Sequence, residues 1–156
     1  MTTDVTDFGD RLQYLFRRID GALSQRLEEA LRPHSLTQAQ LSALAQLRVA
    51  EPEALSNARL SERAGITAQS MSSAISGLLD RGLVARGPNA SHGRTLDVRL
   101  TDAGRALLTE VQEQTARLDA PGYLGLDADE EDALRLMLRK VAAGLGIFLP
   151  GEQRIR

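Results

Sequence analysis

Between residues 69 and 76 the chain sets Gln69, Ser70, Ser72, Ser73 and Ser76 around Met71, Ile75, Leu78 and Leu79. At helical spacing the apolar residues make one stripe and the polar ones cover the remaining surface. Those polar types have a recognition chemistry. A glutamine amide donates and accepts at once, so it can pair in bidentate fashion with adenine, and a serine hydroxyl is a short, adaptable partner for bases or phosphates. Serine is a mediocre helix former, so four of them in seven residues call for a reason beyond solvation. Downstream, Arg86, Arg94 and Arg99 add fixed positive charges suited to phosphate, with ordinary solvated charge as the alternative reading for Arg86 and Arg99.

Other chemistries find little support. The two histidines, His34 and His92, fall in separate loops, and there is no cysteine. Neither histidine lies near a plausible nucleophile, and no glycine-rich phosphate loop occurs. The carboxylates of Asp129 to Asp132 sit in a predicted first helical turn, where they meet the helix dipole favourably. The expectation is therefore no catalysis, no metal and no cofactor.

The elements that must position the polar helix are well marked. Apolar residues from Phe8 to Leu31 recur at three and four, which predicts one long helix over about 7–31, stopped by Pro33. Thr37 with Gln40 forms a capping box, and Leu36 with Leu41 a hydrophobic staple, starting a helix that runs to about Ala50. Ser56 caps a third helix ended by Gly65, and Thr67 caps a fourth from Ala68 to about Arg81, stopped at Gly82. The period then changes. Leu83, Val84 and Ala85 read as a short strand, 87–93 as turn, and Thr95 to Leu100 alternates with Leu96, Val98 and Leu100 inward and Asp97 and Arg99 outward. Thr101 caps a fifth helix to about Leu118, and Asp127 with Glu130 caps a last one to about Phe148. Two short helices joined by a tight turn and followed by a hairpin make a winged helix-turn-helix. The fold class is thus mainly α, with one β-hairpin wing and flanking helices.

The chain has 156 residues, 42% of them hydrophobic and 26% charged, and a net charge of −2. This size supports a compact core without disulfides. No run is apolar enough for a membrane span, and the acidic start is unlike a signal peptide, so the expected compartment is the cytoplasm. The net charge hides a division. Residues 55–101 carry six arginines against three acids, while 102–149 carry five basic groups against nine acids. A basic middle between acidic flanks is the pattern of a binding surface on a neutral scaffold.

The stretch from Leu55 to Leu108 resembles the winged helix of the MarR (multiple antibiotic resistance regulator) family. Its markers are Leu60 through Gly65, the run Leu78-Leu79-Asp80-Arg81-Gly82-Leu83-Val84, and Leu100-Thr101-Asp102-Ala103-Gly104-Arg105. The resemblance implies a homodimeric transcription repressor on a pseudopalindromic double-stranded operator, relieved by a small, frequently aromatic, effector. It implies DNA contacts by Gln69, Ser70, Ser72, Ser73 and Ser76 and by Arg86, Arg94 and Arg99 of the wing. One departure stands out: the family's wing Asp-x-Arg is here His92-Gly93-Arg94. Arg94 must be oriented by another partner, Asp97 or a backbone carbonyl, and His92 is either a turn residue or a group that gains charge on acidification.

These readings divide the chain into a reader at 35–101, a dimerisation region at 1–34 and 102–149, and a tail at 150–156. The terminal helices carry more apolar residues than one winged domain can cover, and Phe8, Phe16, Leu134, Leu138, Leu145, Ile147 and Phe148 are assigned to a bundle between subunits, with intrachain core as the alternative for about half. Tyr14, Phe16 and Leu44 are candidates to line an effector crevice, against a plain packing role. The competing function is a winged-helix module that binds protein rather than DNA.

Overall fold

The computed structural model describes residues 5–88, 96–147 and 149. Its helices are α1 (Leu12–Leu31), α2 (Gln38–Ala50), α3 (Asn57–Ala64), α4 (Ala68–Asp80), α5 (Asp102–Thr115) and α6 (Ala128–Gly144). Strands β1 (Val84–Pro88) and β2 (Leu96–Leu100) pair antiparallel, with Val84 opposite Leu100 and Gly87 opposite Asp97. The mainly helical, winged architecture expected from the sequence is what forms.

The caps form at the expected residues. Thr37 and Asp127 each make a reciprocal capping box with the residue three positions on, and Ser56, Thr67 and Thr101 each accept a backbone N–H in the first turn of their helix. Boundaries move where local chemistry competes. The first helix is not continuous from residue 7: Val5–Asp10 is a 3₁₀ turn, and Arg11 is extended before α1 begins. Gly9 lies in the short turn, and its poor helix propensity favours that break. Helix α5 ends at Thr115 and tightens into 3₁₀ over Ala116–Asp119. Leu83 lies outside the strand because its N–H closes the end of α4 on the carbonyl of Leu78 at 3.0 Å, while Gly82 N–H reaches Leu79 at 2.9 Å. This pair of bonds is the Schellman ending, which needs a left-handed residue, here Gly82 at φ +66°. The same ending closes α6 at Gly144, short of Phe148, which lies outside the described residues.

One core lies under the middle of the chain. Leu31, Leu44, Leu47, Leu55, Leu60, Met71, Ile75, Leu78, Val98, Leu108 and Val111 are fully buried there. Helices α2, α3 and α4 pack on one another, α5 closes the side, and Leu55 pairs with Val98 through two backbone bonds of 2.8 and 2.9 Å. That bridge fastens the wing to the loop before α3. Arg105 on α5 donates to the Glu51 carboxylate at 2.6 Å, and this guanidinium holds the Glu51 carboxyl below its ordinary range. Helix α6, by contrast, touches the rest only marginally.

The tightest joint is at the start of α5. Thr101 donates its hydroxyl to the Gly82 carbonyl at 2.7 Å and its N–H to the Leu83 carbonyl at 3.2 Å. A Cβ on Gly104 would stand 2.0 Å from that same Leu83 oxygen. Gly104→Ala is expected to destabilise the fold by about 1–3 kcal/mol, because backbone must move to admit the methyl. Chemical denaturation followed by circular dichroism measures it, and an unchanged midpoint would contradict the close approach.

Candidate nucleic-acid interface

Helix α4 is the element with two complementary faces. Met71, Ala74, Ile75 and Leu78 are buried, and the four share one side at i, i+3, i+4 and i+7. Gln69, Ser72, Ser73 and Ser76 repeat the same spacing two residues out of phase, so they line the opposite side, and all four are exposed. The buried stripe holds the helix against α2 and α3, so the polar stripe faces solvent on a rigid base. Ser70 is exposed too, yet its hydroxyl is engaged by the cap: it accepts from the Thr67 hydroxyl at 2.9 Å.

The turn that presents α4 is tightly specified. Gly65 takes φ +67°, which favours glycine, and Ile66 N–H returns to the Ser61 carbonyl at 3.2 Å. Asn57 on α3 donates to the Ala68 carbonyl at 3.4 Å, bracing the first turn of α4 from the preceding helix. Thr67 accepts from Ser70 N–H at 3.1 Å. The N-terminal end of the polar stripe is therefore anchored both by its own cap and by α3.

The hairpin carries Arg86 and Arg99, both exposed. Strand alternation separates them: Arg86 stands opposite Val98, and Arg99 opposite Ala85, so the two point to opposite faces of the wing. The register is the signal that distinguishes them, since spacing alone leaves both merely on one hairpin. Arg99 lies across Gly87, where a Cβ would meet its guanidinium at 3.1 Å. Asp97, read from the alternation as an outward residue, is 7% exposed, and its Oδ1 has no hydrogen-bond partner among the described residues. Arg94 and His92 lie outside the described residues.

The three crevice candidates separate as well. Leu44 is fully buried in the core, Phe16 is exposed on α1, and Tyr14 sits half-buried with its ring 5.0 Å from that of Phe8. Arg11 and Arg17 stand over the Phe8 and Tyr14 rings at 5.6 and 6.0 Å. Together with Gln13 these residues line an open groove of about 250 Å³. Among the described residues no group of three or more His, Asp or Glu side chains could hold a metal ion, and no helix is long and apolar enough to cross a membrane.

Known proteins share this arrangement. A family model described as MarR family matches residues 34–95. An HTH-type transcriptional repressor of Mycobacterium tuberculosis, Rv2887, is 33% identical over 132 residues, covering 85% of this chain and 94% of its own. Its solved complex with salicylic acid superposes with a TM-score of 0.67 at 33% identity, over 84% of this chain and 96% of that one. The transcriptional repressor CouR bound to a 23-mer DNA duplex gives a TM-score of 0.76 at 26% identity, over 91% of this chain and 99% of its own. BpsR of Bordetella bronchiseptica, whose DNA binding is described as regulated by 6-hydroxynicotinic acid, gives 0.77 at 26% identity, over 86% and 95%.

The cap analysis makes its own prediction. Thr67→Ala removes the oxygen that satisfies Ser70 N–H and should cost about 1 kcal/mol of stability, whereas Thr67→Ser retains the bond and should recover most of it. Thermal denaturation of both variants distinguishes them, and equal melting points would show that the cap contributes nothing.

Proposed function

This chain belongs to the MarR family, and we propose that it acts as a homodimeric, sequence-specific DNA-binding transcription repressor whose hold on a pseudopalindromic operator is relieved by a small aromatic ligand. The observation that carries this reading is the solvent-facing stripe of Gln69, Ser72, Ser73 and Ser76 on a helix locked to the core by its other face. Short side chains let the α4 backbone approach a major groove closely, and Gln69 near the anchored end has the amide geometry for an adenine edge. Ser70 is better placed for a phosphate, since its hydroxyl already serves the cap. Arg86 and Arg99, one on each face of the wing, suit backbone phosphates on either side of a narrow groove, with Arg94 as the minor-groove contact.

The effector reading rests on the salicylic acid complex of the M. tuberculosis relative and on the regulation of BpsR by 6-hydroxynicotinic acid. In this chain Tyr14 and Phe16 are the accessible aromatic residues of the three crevice candidates, and Leu44 is a core residue. We assign residues 35–101 to the reader, 1–34 and 102–149 to dimerisation and 150–156 to a tail. Helix α5 bridges the first two, because Leu108 and Val111 belong to the shared core. The apolar residues left bare on the terminal helices support the second copy: Leu12 and Leu145 are each 70% exposed, and Phe8, Phe16, Leu138 and Ile147 are exposed beside them. A regulator of this kind works in the cytoplasm and performs no catalysis.

Selection of operators from random duplex DNA by the purified protein tests the function, and the expected product is a palindrome with half-sites about one helical turn, ~34–36 Å, apart. Failure to enrich any palindrome would count against the reading. Plots of log affinity against log salt on that operator should be steep, and Arg86→Ala, which removes one phosphate contact from each protomer, should lower the slope by about 2. A flat salt response would favour binding to protein instead. Val141→Asp, on the bare face of α6, is expected to shift the protein to monomer in sedimentation velocity and to abolish operator binding.

A further inference from the structure

The link between α1 and α2 is short and held from both sides. Pro33 lies in a 3₁₀ turn over Arg32–His34, and Ser35 follows at φ 51° and ψ 40°, a left-handed conformation that a residue with a side chain rarely adopts. Arg81, the residue that ends α4, reaches this link across more than forty positions of sequence. Its Nη1 donates to the Ser35 carbonyl at 2.9 Å and its Nη2 to the His34 carbonyl at 3.0 Å. Successive carbonyls point the same way only when the residue between them is helical in either hand; an extended Ser35 would turn them apart and break the fork. The planar guanidinium therefore holds Ser35 away from an extended conformation and fits the left-handed one it adopts.

The other side of the link is held by a side chain. The His34 ring is only 7% exposed; Nε2 lies 2.8 Å from Gln114 Oε1, and Nδ1 lies 3.9 Å from the Glu110 carboxylate, both on α5. One six-residue connection thus joins the end of the reading helix, the first dimerisation helix and α5.

Resting on the functional reading above, we propose that Arg81 is a positioning residue: by fixing Ser35 in its left-handed conformation it sets the pitch of α4 against α1, and so the distance between the two reading helices of the dimer. Arg81 then contributes to operator choice through half-site spacing and not through contact with DNA. It stands at the C-terminal end of α4, away from the anchored end with Gln69, and its fork is committed to the link. The strain at Ser35 makes the arrangement one that a ligand between the helices can release, because a short rotation there is enough to part the carbonyls from the fork.

The test is binding to a series of palindromes carrying the selected half-sites at different separations. The wild-type protein should prefer one separation. Arg81→Ala should bind that duplex about tenfold more weakly while losing little on duplexes one or two base pairs longer or shorter, so that the preference flattens at an unchanged salt slope. Ser35→Val, whose β-branched side chain disfavours the left-handed conformation without touching Arg81, should flatten it part of the way, and it carries the test should Arg81→Ala fail to remain a folded dimer. Retention of the wild-type spacing preference by either folded variant would overturn the proposal. So would a loss equal at every separation with a salt slope lowered by about 2, which is the mark of a phosphate contact. Failure of the wild-type protein to select a palindrome would instead remove the functional reading, and this inference with it.

Discussion

At Gly104 there is room for a hydrogen atom and nothing larger, because the first turn of α5 lies against the carbonyl of Leu83. That carbonyl belongs to the residue that closes α4 and precedes β1, and it also accepts from Thr101. Three elements therefore share one residue. The end of the reading helix, the base of the wing and the start of α5 keep a fixed relation, and Leu55 bound to Val98 extends the rigid unit to the loop before α3. Packed interiors shift between discrete arrangements more readily than they deform. Motion relative to this rigid unit is then easiest along α6, which packs only marginally on the rest.

The distribution of charge follows the same division. Arginines outside the reader are mostly engaged: Arg105 with Glu51 and Asp102, Arg135 with Asp132, and Arg26 with the ring and hydroxyl of Tyr123. Acids of α6 satisfy its first turn and the Gly122 N–H. On the wing, Arg86 and Arg99 stand exposed on either face. Surface charges act over a Debye length of about 8–10 Å, so an approaching phosphate responds to the wing and hardly at all to the overall −2. Arg81 shows why a count of arginines is a poor guide even so. It adds to the basic total of the reader, yet its Nη1 and Nη2 are spent on the carbonyls of Ser35 and His34.

What was legible in the sequence is what local chemistry decides. Caps at Thr37, Ser56, Thr67, Thr101 and Asp127 are side chains satisfying backbone groups within a few residues of themselves, and each forms as expected. The two faces of α4 were readable for the same reason, since a period of 3.6 is a property of the segment alone. The misread features depend on distant partners or on competing turns. Leu83 looks like a strand residue until the helix ending claims its N–H. Asp97 alternates outward along β2, yet burial is set by what covers the strand and not by its own pattern. Arg81 to Ser35 and His34 to Gln114 span long sequence separations and left no local trace.

The bare faces of α1 and α6 set the last constraint. Leu12, Ile19, Leu136, Met137, Val141 and Leu145 are too many exposed apolar groups, on helices too loosely attached, for one copy to be the complete folded object. Covering them with a second copy makes stability depend on protomer concentration, as it does for obligate dimers. It also joins the two α1–α2 links through the same helices. A ligand that shifts α1 in one protomer then acts on both readers at once, and a two-fold operator, which needs both half-sites engaged at one separation, is the target most sensitive to such a shift.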